Sequence, residues 1–117
     1  MEDIKAKLLD YIERNDPVTF TELEFAFRQW GIDWQGNQEL FHPEIDNIIF
    51  WTGWNKETFY LLTCLEKAGM IYKEPCESFL YALDGKMLTY PVVKSPRKYK
   101  YPHWLPTVYR SGRRPIR

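Results

Sequence analysis

The chain has 117 residues, 44% of them hydrophobic and 17% aromatic, enough for one domain with one modest core and too apolar for a wholly disordered chain. Its apolar runs, such as Ile48-Ile49-Phe50-Trp51, fall far short of the ~18–20 residues of a membrane span, and the start Met1-Glu2-Asp3-Ile4-Lys5 lacks the pattern of a signal peptide, so a cytoplasmic protein with no membrane contact is expected. The net charge of zero hides a division, because residues 1–90 carry 8 Lys/Arg against 16 Asp/Glu while residues 91–117 carry 8 Lys/Arg and no acid.

Taken in chain order, Ile4, Leu8, Tyr11 and Ile12 form one apolar stripe of a helix over Asp3 to Arg14, which Asn15-Asp16-Pro17 ends. Val18-Thr19-Phe20 reads as a short extended piece. Thr21 and Glu24 have capping-box spacing for a second helix, with Phe20 and Phe25 as its staple and Gly31 as its stop. Glu22 and Glu24 are expected as solvated acids at the helix start. Residues 31–46 read as irregular, and Asn47 to Trp51 as a strand. Asn55 caps a third helix, with Trp54 and Phe59 as its staple, Leu61, Leu62, Leu65 and Ala68 facing inward, and Gly69-Met70 as its terminal motif.

Strand chemistry follows. Met70 to Lys73, Ser78 to Leu83 and Lys86 to Tyr90 predict a three-stranded antiparallel meander, with Asp84-Gly85 as its hairpin turn. From Pro91 the chain becomes rich in proline, basic residues and aromatics, which predicts an extended arm. No internal repeat is visible. The order helix, short strand, helix, strand, helix, hairpin resembles a winged helix, carried by Leu61-Leu62-x-x-Leu65-x-x-x-Gly69-Met70-Ile71 at the junction of third helix and wing. The expected architecture is therefore α+β and winged-helix-like. It has three main helices and a small antiparallel sheet in a body of residues 1–90, and a Pro-rich basic aromatic arm over 91–117.

A second, narrower resemblance rests on His42-Pro43-Glu44, Ile48 to Asn55, Tyr81 to Gly85 and Tyr101 to Pro106. These segments resemble small uncharacterised proteins of Gram-positive phages and genomic islands. That likeness implies a role in the replication or control of a mobile genetic element, with a polymerase, primase or helicase as partner.

Little in the sequence suggests catalysis. His42 and His103 are the only histidines, and no local motif sets either beside a nucleophile and an acid. No metal-ligand spacing, glycine-rich phosphate loop or cofactor motif occurs. Cys64 and Cys76 are the only cysteines, expected as reduced thiols. A protein that binds and does not catalyse is expected.

The arm holds the ingredients of single-strand nucleic-acid binding, in which bases stack on aromatics and cations track phosphates. The candidate residues are Lys94, Arg97, Lys98, Tyr99, Lys100, Tyr101, Trp104, Arg110, Arg113 and Arg114, with Tyr109 and Arg117 adding an aromatic and a charge. A competing reading packs Tyr101, Trp104 and Leu105 back on the body with the basic residues paired to its acids, and residues 110–117 are expected as a free, mobile end. Trp54 is expected first in a core or helix-staple role, with cover by a protein partner as the other reading, and Trp30 and Trp34, which flank the long loop, would form a docking patch if exposed. The acidic body, with Glu74 and Glu77 in the first wing turn, is a poor sole binder of duplex DNA. The first reading is an accessory protein that docks on a larger DNA-processing protein and brings a basic arm to nucleic acid. The others are a duplex-binding transcription regulator and a protein-only adaptor or inhibitor.

Overall fold

The computed structural model describes residues 2–115. In chain order the elements are α1 (Glu2–Asn15), β1 (Val18–Thr19), α2 (Phe20–Gln29), β2 (Gln35–Phe41), β3 (Ile48–Trp54), α3 (Lys56–Lys67), β4 (Ile71–Pro75), α4 (Phe79–Asp84), β5 (His103–Trp104) and β6 (Thr107–Ser111). The class is mixed α+β.

Local chemistry sets the helix ends. The capping box of α2 lies two residues earlier than expected: the Thr19 hydroxyl accepts from the Glu22 N–H, and the Glu22 carboxylate accepts from the Thr19 N–H. Asn55 caps α3 by accepting from the Thr58 N–H, and Trp54 stacks on Phe59 at 4.9 Å. The end of α3 is a full Schellman motif, with Met70 N–H on the Leu65 carbonyl, Gly69 N–H on the Glu66 carbonyl, and Gly69 at φ 74°.

Two three-stranded sheets organise the chain. One has the order β1-β6-β4, antiparallel throughout, and the other has the order β2-β3-β5, with β3 and β5 parallel. Between them lies an aromatic core in which Trp51, Trp54, Trp104, Tyr81, Tyr109, Phe20 and Phe27 are fully buried. Phe20 sits at its middle, stacked on Trp51 at 5.6 Å and edge-on to Trp54 and Tyr109.

Four expectations change. Residues 35–41, read as irregular, form β2. Ser78 to Leu83 is not a strand, because α4 occupies Phe79–Asp84 and Gly85 ends it at φ 86°. A glycine at positive φ serves a helix end as readily as a hairpin turn. What selects the helix is Tyr81, whose buried hydroxyl donates to the Thr107 carbonyl and accepts from the Phe20 N–H. Lys86 to Tyr90 is not the return strand. That role falls to β6, whose Tyr109 pairs with Val18 on one side and Lys73 on the other. Finally, residues 103–111 are not an arm: β6 is the central strand of its sheet. Pro102 and Pro106 precede β5 and β6, where a missing N–H costs no ladder bond.

Glu24 also departs from expectation. It is only 5% exposed. Its Oε2 accepts from the indole N–H groups of Trp51 and Trp54, each at 2.9 Å, and its Oε1 accepts from Lys86 Nζ at 2.7 Å. A buried carboxylate needs such a full set of partners.

Candidate nucleic-acid interface

The basic residues of the C-terminal quarter separate into two groups. The first occupies a closed loop over residues 94–102. Its neck is fastened where Val93 N–H donates to the Trp104 carbonyl and Trp104 N–H donates to the Pro91 carbonyl, both at 2.8 Å. Pairing of β5 with β3 ties the neck to the body. Inside the loop Tyr99 is a pillar. Its hydroxyl donates to the Ser95 carbonyl at 2.8 Å and accepts from the N–H groups of Lys94 and Ser95. Its ring stacks on His103 with 3.8 Å between centroids, and the Asn47 amide donates to its carbonyl at 2.7 Å.

Lys94, Arg97, Lys98 and Lys100 stand exposed on this loop. None of the four forms an ion pair among the described residues, whereas Lys73, Lys86 and Arg110 all do. The Arg97 guanidinium lies 4.5 Å from the centre of the Tyr99 ring, which orients it without neutralising it. Tyr101 is 72% exposed beside them. Four cations and one free aromatic ring thus share a single ordered loop. This is the chemistry of phosphate attraction plus base stacking.

The second group is committed elsewhere. Arg110 bridges Asp16 at 2.6 Å and Glu74 at 3.1 Å. Arg113 lies against Gly69, and Arg114 donates to the Lys73 carbonyl at 2.9 Å. The expected mobile end over 110–117 is therefore corrected for Arg110 to Arg114, and Arg117 lies outside the described residues. Tyr99, Trp104 and Tyr109 are buried, so they offer no ring face to a base. Trp104 is a core residue, edge-on to Tyr81 at 5.0 Å, with its indole N–H on the Phe50 carbonyl.

The proposed docking tryptophans fare similarly. Trp54 is fully buried and Trp34 nearly so, while Trp30 is half-buried, edge-on to Tyr11 at 5.9 Å. The large exposed apolar side chains are others, among them Phe25 on α2 and Phe79 and Leu83 on α4. The last two stand one helical turn apart on α4, with Glu77 two residues before the helix and Asp84 as its last residue.

The remaining reactive groups have structural duties. His42 Nδ1 accepts from the N–H groups of Glu44 and Ile45. Burial, then the nearby Glu77 and Glu74, push the Cys76 thiol up to about 11, so it stays protonated at neutral pH. Both cysteines are free thiols. Burial tends to raise Asp16, but hydrogen bonds from the Ser111 N–H and hydroxyl and from Arg110 outweigh it and hold the carboxyl below its ordinary value. Among the described residues no group of three or more His, Cys, Asp or Glu is placed to hold a metal ion, and no helix is long and apolar enough to cross a membrane.

The sequence contained one unused signal. Glu24 sits on the apolar stripe of α2, with Phe20, Leu23 and Phe27 at helical spacing around it, and an acid in such a stripe implies a buried partner. No protein-family model, curated protein or solved structure matches the chain.

Proposed function

We propose that this chain is a non-catalytic accessory protein that docks on a larger DNA-processing protein and contacts nucleic acid, preferentially single-stranded, through the loop over residues 94–101. The observation that carries this reading is the placement of Lys94, Arg97, Lys98 and Lys100, exposed and without ionic partners among the described residues, next to the exposed ring of Tyr101. The winged-helix-like description is supported by the antiparallel order β1-β6-β4 and by α3 running directly into β4. The hairpin β2–β3 then stands between the second and third helices, and residues 76–106 make an enlarged wing. The docking half of the proposal is supported by the exposed Phe79 and Leu83. The setting in a mobile genetic element, with a replication protein as partner, follows from the resemblance described above.

One observation favours the duplex-binding regulator as a second reading. Lys56, Tyr60 and Lys67 lie along the outer side of α3, and Tyr60 is largely exposed. Glu57 beside them and the acidic body oppose phosphate approach. Fluorescence anisotropy with a labelled 20-nucleotide single strand and with the matching duplex separates the readings. The accessory reading predicts tighter binding to the single strand and a loss of about 1–3 kcal/mol on Tyr101→Ala. Duplex preference that survives Tyr101→Ala and falls on Tyr60→Ala supports the regulator. No binding to either strand form supports a protein-only adaptor.

A further inference from the structure

The buried end of Glu24 and the residues around it form a cation site that already holds a cation. Lys86 Nζ donates to Glu24 Oε1 at 2.7 Å, lies 4.9 Å from the ring centre of Trp34 and 5.8 Å from that of Trp51. The other carboxylate oxygen is locked by two indole N–H groups, so the acid is fixed before any ammonium arrives. Two aromatic faces and one oriented carboxylate are a recognised arrangement for binding an alkylammonium.

The occupant is far more exposed than its socket. The Lys86 side chain is 45% exposed. Its backbone is anchored by two long bonds, its N–H to the Tyr81 carbonyl at 3.3 Å and its carbonyl to the Thr21 hydroxyl at 3.4 Å. Residues 87–90 that follow form no helix or strand and are held by Leu88 and Tyr90, which pack against the core, and by Tyr90 donating to Glu39. A cleft of about 530 Å³ opens beside the socket, lined among others by Glu22, Phe25, Arg28 and Asp84 as well as Glu24 and Lys86. The cleft gives a lysine borne on another chain a way to Glu24, with the exposed Phe25 ring at its side for the lysine stem.

We infer that the Glu24–Trp34–Trp51 socket is a lysine-ammonium site, plugged by Lys86 in the free protein and able to take a lysine side chain of a docking partner when the plug is withdrawn. The class of ligand is read from the occupant, a primary ammonium that donates a hydrogen bond. A quaternary ammonium has no N–H to give Glu24 Oε1 and is expected to bind more weakly.

The test is chemical rescue of Lys86→Ala in the full chain. Removing the plug leaves a buried carboxylate without its cation, and the melting temperature is expected to fall by roughly 10–20 °C. Adding n-butylammonium chloride, at ionic strength held constant with NaCl, should restore at least half of that loss with a saturating dose curve. Nα-acetyl-lysine methylamide should do the same, and tetramethylammonium and n-butanol should not. Lys86→Met, whose stem still fills the socket, and Lys86→Ala combined with Glu24→Gln should show no rescue. If Lys86→Ala is unfolded without additive, recovery of its far-UV circular dichroism on adding n-butylammonium is the same readout. Absence of saturable rescue by n-butylammonium, in either readout, overturns the site. Rescue by n-butylammonium but not by the capped lysine overturns its accessibility to a partner.

Discussion

Replacing Trp104 by alanine discriminates most sharply between a tail that is part of the core and one that hangs from it. The indole is fully buried, packed against Tyr81 at 5.0 Å and Trp51 at 6.1 Å, and donates to the Phe50 carbonyl at 3.1 Å. Truncating a buried tryptophan costs about 3–5 kcal/mol in lost transfer energy and cavity. Leaving the Phe50 carbonyl without its donor adds about 1 kcal/mol. A total of ~4–6 kcal/mol is about half of the ~5–15 kcal/mol that holds an average domain together. Urea unfolding followed by far-UV circular dichroism should show a midpoint ~2–3 M lower, at a slope of about 2 kcal/mol per M typical of small proteins, or no folded baseline at all. Tyr101→Ala, three residues away but exposed, should change the unfolding free energy by less than ~0.5 kcal/mol. A Trp104→Ala variant that loses under ~1 kcal/mol would refute the placement of residues 103–111 in the core.

Two further outcomes follow from buried and paired polar groups. Tyr81→Phe removes the hydroxyl that joins the Phe20 N–H to the Thr107 carbonyl, and should cost ~1–3 kcal/mol by urea unfolding, since both groups stay buried without a partner. Asp16 has a depressed folded pKa, so its contribution is present above the unfolded value of ~3.9 and is lost as pH falls through the folded value. The urea midpoint of Asp16→Asn should therefore lie below wild type at pH 7, and the gap should close as the pH is taken below ~4.

Much of the first seventy residues was legible because the signals there are local. Asn55, Gly69 and Met70 act within one turn of their own helix, and Ile4, Leu8 and Ile12 share one stripe. The capping box was misplaced by two residues because Thr19 and Thr21 both have an acid three positions on, and only Thr19 is held in extended backbone by its pairing with Val108. The second half was decided by contacts far apart in sequence. Tyr81 is drawn into a helix by Phe20 and Thr107, and β6 is drawn between β1 and β4 by Val108 and Tyr109, although the surrounding composition is that of a solvated tail. For the candidate site, charge and aromatic content pointed to residues 91–117, where Lys94, Arg97, Lys98, Lys100 and Tyr101 are exposed but Trp104 and Tyr109 are buried. Which cations stay unpaired depended on Asp16 and Glu74, remote partners that capture Arg110 and leave Lys94 to Lys100 untouched.

The salt dependence of single-strand binding tests the proposed interface most directly. Arg97, Lys98 and Lys100 are exposed and form no ion pair among the described residues, so replacing all three with alanine should lower stability by no more than the ~0.5–1 kcal/mol of the Arg97–Tyr99 ring contact. Each lost phosphate contact removes ~0.7 from the logarithmic salt slope for a single strand, so the triple variant should bind more weakly with a slope smaller by about 2. An unchanged affinity and slope, in a variant that stays within that stability margin, would contradict the assignment of residues 94–101 as the nucleic-acid contact.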